Sequence, residues 1–399
     1  MTAYDAIVVG LRTHGSAAAA ELARRGMRVL GLDRFSRGHE MGSFVGRTRV
    51  TRVAYFEHPD YVPLLKRAWA RWLELEGETG ERLLFPTGGL YAGPPGSMIV
   101  EGSLRSAREH GLAHEVLSGG ELRRRHPWLA GDGLVAVTEE QAGYLVPERC
   151  IAAHLAVAER HGATLRFSDG ADDWYPDGDG FAVHTVGGAI ERADRVVLTA
   201  GAWLGHFLPD LALPLAVERV PLFWYEPADP KPCSGIPVYI VETADGNFYG
   251  FPYLEGQGLK VARHGTGDVL PPRGDRTEAD RLDRELRQGE DERVRRFVRR
   301  YLPGGEGPLR DWKVCMYTKT PDEHFIVDRH PRYPGVVFAS ACSGHGFKFA
   351  SVMGEVLADL AMGGSTTLPV GFLSASRFPP TPGATEPQGG WVHRSLPGA

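Results

Sequence analysis

The pattern of apolar and polar positions divides the chain into elements before any single residue is weighed. Asp5-Ala-Ile-Val-Val-Gly10 is a short unbroken apolar run, the signature of a strand buried on both faces of a parallel sheet. Ser16-Ala-Ala-Ala-Ala-Glu-Leu-Ala-Arg-Arg25 is rich in helix formers and stops before Gly26, and Arg28-Val-Leu-Gly-Leu-Asp33 is a second apolar run ending in an acid. Leu64, Leu65, Ala68, Trp69, Trp72 and Leu73 recur on one side of a helix predicted over 61–75, which puts the tryptophans in the core. A strand over 87–93 enters a second domain, and residues to about 142 alternate short helices with loops. A helix over 147–160, a strand over 164–167, a hairpin turning at Gly187-Gly188 and a strand over 195–199 lead back to the first domain. Alternating patterning at 220–225, 238–241 and 247–251 predicts an antiparallel sheet within 217–302. The charged run 275–300, with Val294, Phe297 and Val298 as its apolar stripe, predicts a solvated helix packed on one side. A buried strand over 335–340 then feeds a glycine turn at Gly344, and a last helix carries Val352, Val356, Leu357 and Leu360 before Gly363 and Gly364 stop it.

Composition adds bounds. With 399 residues and 42% hydrophobic content the chain buries a large core, in two domains or one large two-part domain. A formal net charge of −5, with no long segment dominated by basic residues, gives no reason to expect nucleic acid as a partner. The 4 cysteines, Cys150, Cys233, Cys315 and Cys342, are scattered without a Cys-x-x-Cys pair, so neither a disulfide framework nor a metal site is expected. Asp5 interrupts the first apolar run, no basic leader precedes it, and no apolar stretch has membrane length; we expect a cytoplasmic protein with no membrane contact. The proline- and glycine-dense tail over 379–399 is expected to be disordered.

Four stretches carry chemistry. Strand, glycine turn, helix, strand and terminal acid form a dinucleotide-binding pattern, with Gly10 and Gly15 in the turn and Asp33 placed to accept from a ribose hydroxyl. Arg12 stands where the fingerprint has its second glycine; it either swings onto a phosphate or weakens cofactor binding. Arg47, Arg49 and Arg52 crowd one segment, and the planar fork of arginine suits a carboxylate. In Val314-Cys-Met-Tyr-Thr-Lys-Thr-Pro-Asp-Glu-His-Phe-Ile-Val-Asp328, Cys315 and Tyr317 fall on one face of a strand. In Ser343-Gly-His-Gly-Phe-Lys-Phe-Ala350 a glycine turn opens a helix whose N-terminus suits negative charge.

These last two motifs resemble those of the monomeric sarcosine oxidase and N-methyltryptophan oxidase family of flavoenzymes, over residues 4–378. The resemblance implies an α/β plus α+β fold, a Rossmann-like FAD-binding domain with a second antiparallel-sheet substrate domain. It implies a discontinuous FAD-binding domain over 1–86, 147–215 and 312–378, and a substrate domain over 87–146 and 216–311. By the same pattern Cys315 is joined through sulfur to the flavin of FAD. Arg49 lies near the ring, Arg52 and Lys348 hold a substrate carboxylate, and Lys260 sits over the ring where oxygen reacts. Tyr249, His264, Tyr317 and His345 border the substrate. Gly10, Gly15, Asp33, Arg34, Ser43, Thr48, Gly344, Gly346 and Lys348 belong to the cofactor site. Phe44 and Val45 depart from the pattern, in which histidine holds one or both positions. The implied partners are a small amine and oxygen, for a monomer that oxidises a secondary amine on a small carboxylate and releases peroxide. A dehydrogenase of the same fold, an oxidase of cyclic or primary amino acids, and a non-redox binding protein stand as alternatives.

Overall fold

The structure, a computed structural model, describes residues 4–270 and 279–378. The expected disorder of the tail over 379–399, and residues 275–278 of the charged run, lie outside the described residues.

The first sheet has 8 strands. Tyr4–Val9 lies at its centre, parallel to Val29–Asp33 on one side and to Ile190–Leu198 on the other. Thr164–Phe167 extends the sheet beyond Val29–Asp33. Val336–Ser340 pairs parallel with Ile190–Leu198 and carries Ile326–Arg329 antiparallel to it. The unbroken apolar run of the first strand is explained by its position: Ala6, Ile7, Val8 and Val9 are all buried, because helices or strands cover both faces. On one face the helices Thr13–Arg24, Pro147–Arg160 and Ala350–Gly363 pack on one another, and the alanines of the first let the backbones come close.

The second sheet also has 8 strands, running Leu309–Lys319, Ala216–Tyr225, Leu259–His264, Gly246–Gly250, Val238–Thr243, Gly89–Gly93, Val135–Glu139 and Glu115–Leu117. Every pairing is antiparallel except Val238–Thr243 with Gly89–Gly93, which is parallel. The strand Val135–Glu139 falls where only helices and loops were expected. The expected boundary between 311 and 312 falls inside Leu309–Lys319, which pairs with Ala216–Tyr225 from Ala216 opposite Lys319 to Tyr225 opposite Leu309. The strand bearing Cys315 therefore belongs to the second sheet, while the turn at Gly344 follows a strand of the first. A third sheet of 3 strands joins Arg49–Thr51, Gly143–Leu145 and Leu84–Pro86.

The charged run corrects the prediction of one helix over 275–300. Among its described residues helix forms only at Glu292–Tyr301, burying Val294, Phe297 and Val298, and residues 279–291 turn irregularly. That irregular stretch wraps a buried cation. Arg219, 0% exposed, donates from Nε to the Asp283 carbonyl at 2.7 Å and from Nη2 to the Glu285 carbonyl, and pairs with Glu290. These contacts hold the irregular path of the backbone at Asp283 and Glu285. Among the described residues no helix is long and apolar enough to cross a membrane, and no cluster of three or more potential metal ligands occurs.

Candidate active site

One cavity of about 520 Å³ runs from the turn after the first strand to the glycine turn at Gly344. At its first end Gly10 has φ +87°, and a Cβ on Gly15 would lie 1.7 Å from the Gly10 carbonyl oxygen, so both positions require glycine for the turn to close. Asp33 faces the cavity, with Oδ2 accepting from the Leu11 amide at 3.0 Å, Oδ1 from the Phe35 amide at 3.0 Å, and His39 Nε2 3.3 Å away. Arg34 also lines it and donates to both Asp280 carboxylate oxygens at 3.0 Å. Arg12 lies on the wall with its guanidinium 4.4 Å from the centre of the Phe44 ring, donating from Nη2 to the His39 carbonyl.

At the other end the strand Leu309–Lys319 presents Asp311, Lys313, Cys315 and Tyr317 in alternation, hence on one face. Cys315 is buried, its sulfur 3.4 Å from the Ser43 carbonyl and 3.5 Å from Arg49 Nη2. Burial raises the thiol pKa; Arg49 and Lys260 act against that rise. Arg49 is itself clamped, donating to the carbonyls of Thr48 (2.9 Å), Ser43 (3.2 Å) and Val45 (2.5 Å). Tyr317 is hydrogen-bonded to Tyr249 and stands 3.5 Å from His264 Nδ1. A Cβ on Gly344, where φ is +82°, would strike the Tyr317 and His264 rings at 2.6 and 2.7 Å, so the glycine turn is what admits these rings.

The segment over 39–49 is tied across this end. Glu40 pairs with Lys313 at 2.6 Å, Arg47 with Asp311, and Arg284 Nη2 donates to the Met41 carbonyl at 2.8 Å. Two of these ties end on the strand that carries Cys315.

Two cations are buried beside it. Arg52 donates from Nη2 to both oxygens of Glu57 at 2.6 Å and lies 4.1 and 4.2 Å from the ring centres of Tyr55 and Phe56. Glu57 is pulled down to about 2 despite its burial, by Arg52 first and then by His345 and Lys348. Lys348 donates from Nζ to the His345 carbonyl at 2.6 Å; burial, with Arg52 as the next cause, lowers its pKa to about 7. His345 donates from Nε2 to the Glu323 carbonyl at 3.0 Å, which leaves Nδ1 to accept from the Tyr55 hydroxyl at 2.5 Å. Burial lowers its pKa to about 3.

The cavity thus brings together Gly10, Asp33, Arg34, Ser43, Arg49, Arg52, Tyr249, His264, Cys315, Tyr317, Gly344, His345, Gly346 and Lys348. Gly15, Thr48 and Lys260 are not on its wall. Lys260 lies behind the segment over 46–48, donating from Nζ to the carbonyls of Gly46 (2.6 Å) and Thr48 (2.8 Å) and to the Thr48 hydroxyl (3.3 Å). Three acceptors suit an ammonium, whereas burial and Arg49 depress its pKa. Sequence reasoning missed Tyr55, whose hydroxyl fixes His345, and Glu139. The Glu139 carboxylate accepts from the amides of Val53 (3.1 Å) and Ala54 (2.9 Å) and from the Tyr91 hydroxyl (2.5 Å), anchoring the stretch beside Arg52. An isolated glutamate in a strand gives no sequence signal for such a role.

The chain matches the FAD dependent oxidoreductase family over residues 5–360. It is 41% identical over 387 residues to a monomeric sarcosine oxidase of Streptomyces avermitilis, covering 95% of this chain and 99% of that protein. It is 34% identical over 379 residues to an N-methyl-L-tryptophan oxidase of Yersinia pestis, covering 94% and 99%. The fold is also that of NikD, an unusual amino acid oxidase, with a TM-score of 0.81 at 24% identity over 94% of this chain and 98% of that one.

Proposed function

Because the chain belongs to the FAD-dependent oxidoreductase family, together with the monomeric sarcosine oxidases and N-methyl-L-tryptophan oxidases, we propose that it oxidises a secondary amine borne on a small carboxylate. N-methyl amino acids of the sarcosine kind are the substrates. The observation that carries this reading is the pair of buried cations, Arg52 and Lys348, on the wall of the cavity that begins at the dinucleotide turn. With Arg49 they outnumber the one carboxylate among them, Glu57, so an anion is the complement the site lacks.

FAD fits the residues present. The close turn at Gly10 and Gly15 and the Asp33 carboxylate suit its adenosine and diphosphate end, and the cavity continues without a break to Cys315 and Lys348. Bound there, FAD would supply the hydride acceptor for the carbon beside the amine nitrogen and the route by which the electrons reach oxygen as hydrogen peroxide. Arg52 and Lys348 hold the substrate carboxylate and so fix which carbon approaches the ring. Tyr249, Tyr317 and His264 exclude water around the amine, and burial favours its neutral form, whose lone pair assists loss of the hydride. No general base is required of the protein for an amine already neutral. The imine product hydrolyses in water. The Cys315 thiol, open to the cavity beside Arg49, supports covalent attachment of the flavin, since a nearby guanidinium favours the thiolate that must form. A monomer of two discontinuous domains, working in the cytoplasm, completes the proposal.

A dehydrogenase is favoured by one observation: Lys260 is turned into the loop at Gly46 and Thr48 and not onto the cavity wall. A substrate panel separates the readings. Sarcosine, N-methyltryptophan, proline and N-methylpropylamine are mixed with the holoenzyme without air, and bleaching of the flavin is followed. Bleaching by an N-methyl amino acid but not by N-methylpropylamine is expected, and no bleaching by any carboxylate amine would overturn the reading. Admission of air and assay of peroxide then decide between oxidase and dehydrogenase.

A further inference from the structure

The two departures from the expected motifs, Arg12 and Phe44, meet in space. The Arg12 guanidinium lies 4.4 Å from the centre of the Phe44 ring, within the range of a cation–π contact. The ring is held close to the chain, since a Cβ on Gly42 would stand 2.9 Å from its edge. The Arg12 Nη2 donates to the His39 carbonyl, which completes the orientation of the fork. Its Nε, however, is buried without a hydrogen-bond partner among the described residues. The acid that bears on it most, Asp33, makes no hydrogen bond to it and accepts from the Leu11 and Phe35 amides. A partly buried guanidinium whose donor has no acceptor is an unstable arrangement unless a ligand supplies one.

Its position says which ligand. Arg12 is the N-cap of the helix Thr13–Arg24, whose first turn has no acidic residue and whose N-terminal amides receive no side-chain cap. That end of a helix carries partial positive charge and free N–H groups. Arg12 also lines the cavity on the stretch between Gly10 and Asp33, where a dinucleotide turn receives its diphosphate.

We infer that Arg12, oriented by Phe44 and the His39 carbonyl, is a diphosphate ligand for FAD in this chain, replacing the backbone contact that a glycine gives with a charged side-chain contact. The inference rests on the family's cofactor and not on the identity of the amine. Glycine at this position lets the backbone approach the diphosphate; arginine gives up that approach and offers a charged fork with its Nε donor unpartnered instead. Restoring the glycine therefore weakens binding here.

The test uses the full chain carrying Cys315→Ala, so that FAD exchanges freely, with and without Arg12→Gly. Affinities of the cofactor-free proteins for FAD, ADP and adenosine are measured by calorimetry, and folding by circular dichroism. Arg12→Gly is expected to weaken FAD and ADP by about ten- to a hundredfold, the usual effect of losing a charged hydrogen bond, while adenosine changes less than about twofold. Equal or tighter binding of FAD by the glycine variant would overturn the inference and make Arg12 an obstacle. Equal losses for all three ligands would overturn it too, since adenosine has no phosphate. If the glycine variant does not fold, Arg12→Met, which keeps the stem against Phe44 and removes the fork, decides on the same terms.

Discussion

Replacing Lys348 with methionine sets substrate binding against stability, and pH separates the two. In the free enzyme the Lys348 pKa lies near 7, so the ammonium is about 90% populated at pH 6 and about 1% at pH 9. Only the ammonium attracts a carboxylate strongly. At pH 6, Lys348→Met should lower kcat/KM for an N-methyl amino acid by about ten- to a hundredfold, the loss of one charged hydrogen bond of about 1.5–3 kcal/mol. At pH 9 the wild-type lysine is already neutral, so the ratio of wild type to variant should fall toward one. Ionisation of the amine substrate affects both enzymes alike and cancels in the ratio. Stability should move the other way. A pKa brought down from 10.5 to about 7 by burial means the unfolded chain holds this proton more tightly than the fold does. The lysine therefore destabilises the fold fully below pH 7, by about 5 kcal/mol, and this penalty disappears as pH rises from about 7 to about 10.5. The methionine variant should melt at higher temperature than wild type at pH 6, with the gap closing by pH 10. Steady-state rates across pH 6–9 and calorimetric melting at both ends are the assays. A rate ratio independent of pH would refute the assignment of Lys348 to the carboxylate, and a variant that melts lower at pH 6 would refute the buried, poorly solvated ammonium.

Cys315→Ala should leave FAD bound but released into the supernatant on acid precipitation, whereas wild-type precipitate stays yellow; a colourless wild-type precipitate would end the covalent proposal. Lys260→Met should slow flavin reoxidation by oxygen far more than anaerobic reduction in stopped-flow mixing, and unchanged reoxidation would make Lys260 purely a support for the loop at Gly46 and Thr48. Arg219→Met should destabilise by about 3–5 kcal/mol, seen in urea titration, because Glu290 and two carbonyls lose a wholly buried partner. A loss under about 1 kcal/mol would show that water satisfies them instead.

Legibility in the sequence followed the range of the interactions. The strand–turn–helix at the N-terminus could be read because its causes are local: Gly10 and Gly15 let the turn close on itself, and alanines make the next helix. Cys315 and Tyr317 could be read as neighbours because strand alternation is local too. The charged run was misread because the contacts that shape it, Arg219 with the Asp283 and Glu285 carbonyls, come from a residue distant in sequence. Glu139 was invisible for the same reason, since its partners, Val53, Ala54 and Tyr91, are brought to it only by the fold. Arg12 posed a choice that spacing could not make; the stacked Phe44 ring and the unpartnered Nε give it a direction.

The ties across the segment over 39–49 bear on how the holoenzyme is made. Glu40–Lys313 and Arg47–Asp311 join partly exposed side chains, and pairs of that kind contribute about 0–1 kcal/mol each. They are weak enough to part on their own, and the two together raise the cost of opening by about 2 kcal/mol at most. That segment lines the cavity that leads to Cys315 and is fastened to the very strand that carries the thiol. Loading should then be a gated process whose speed depends on ionic strength: sluggish in dilute buffer, faster as added salt screens the ties, with the fraction finally loaded little changed. The effect is bounded: two such pairs hold the segment by about 0–2 kcal/mol in all, so dilute buffer should slow loading by no more than about thirtyfold.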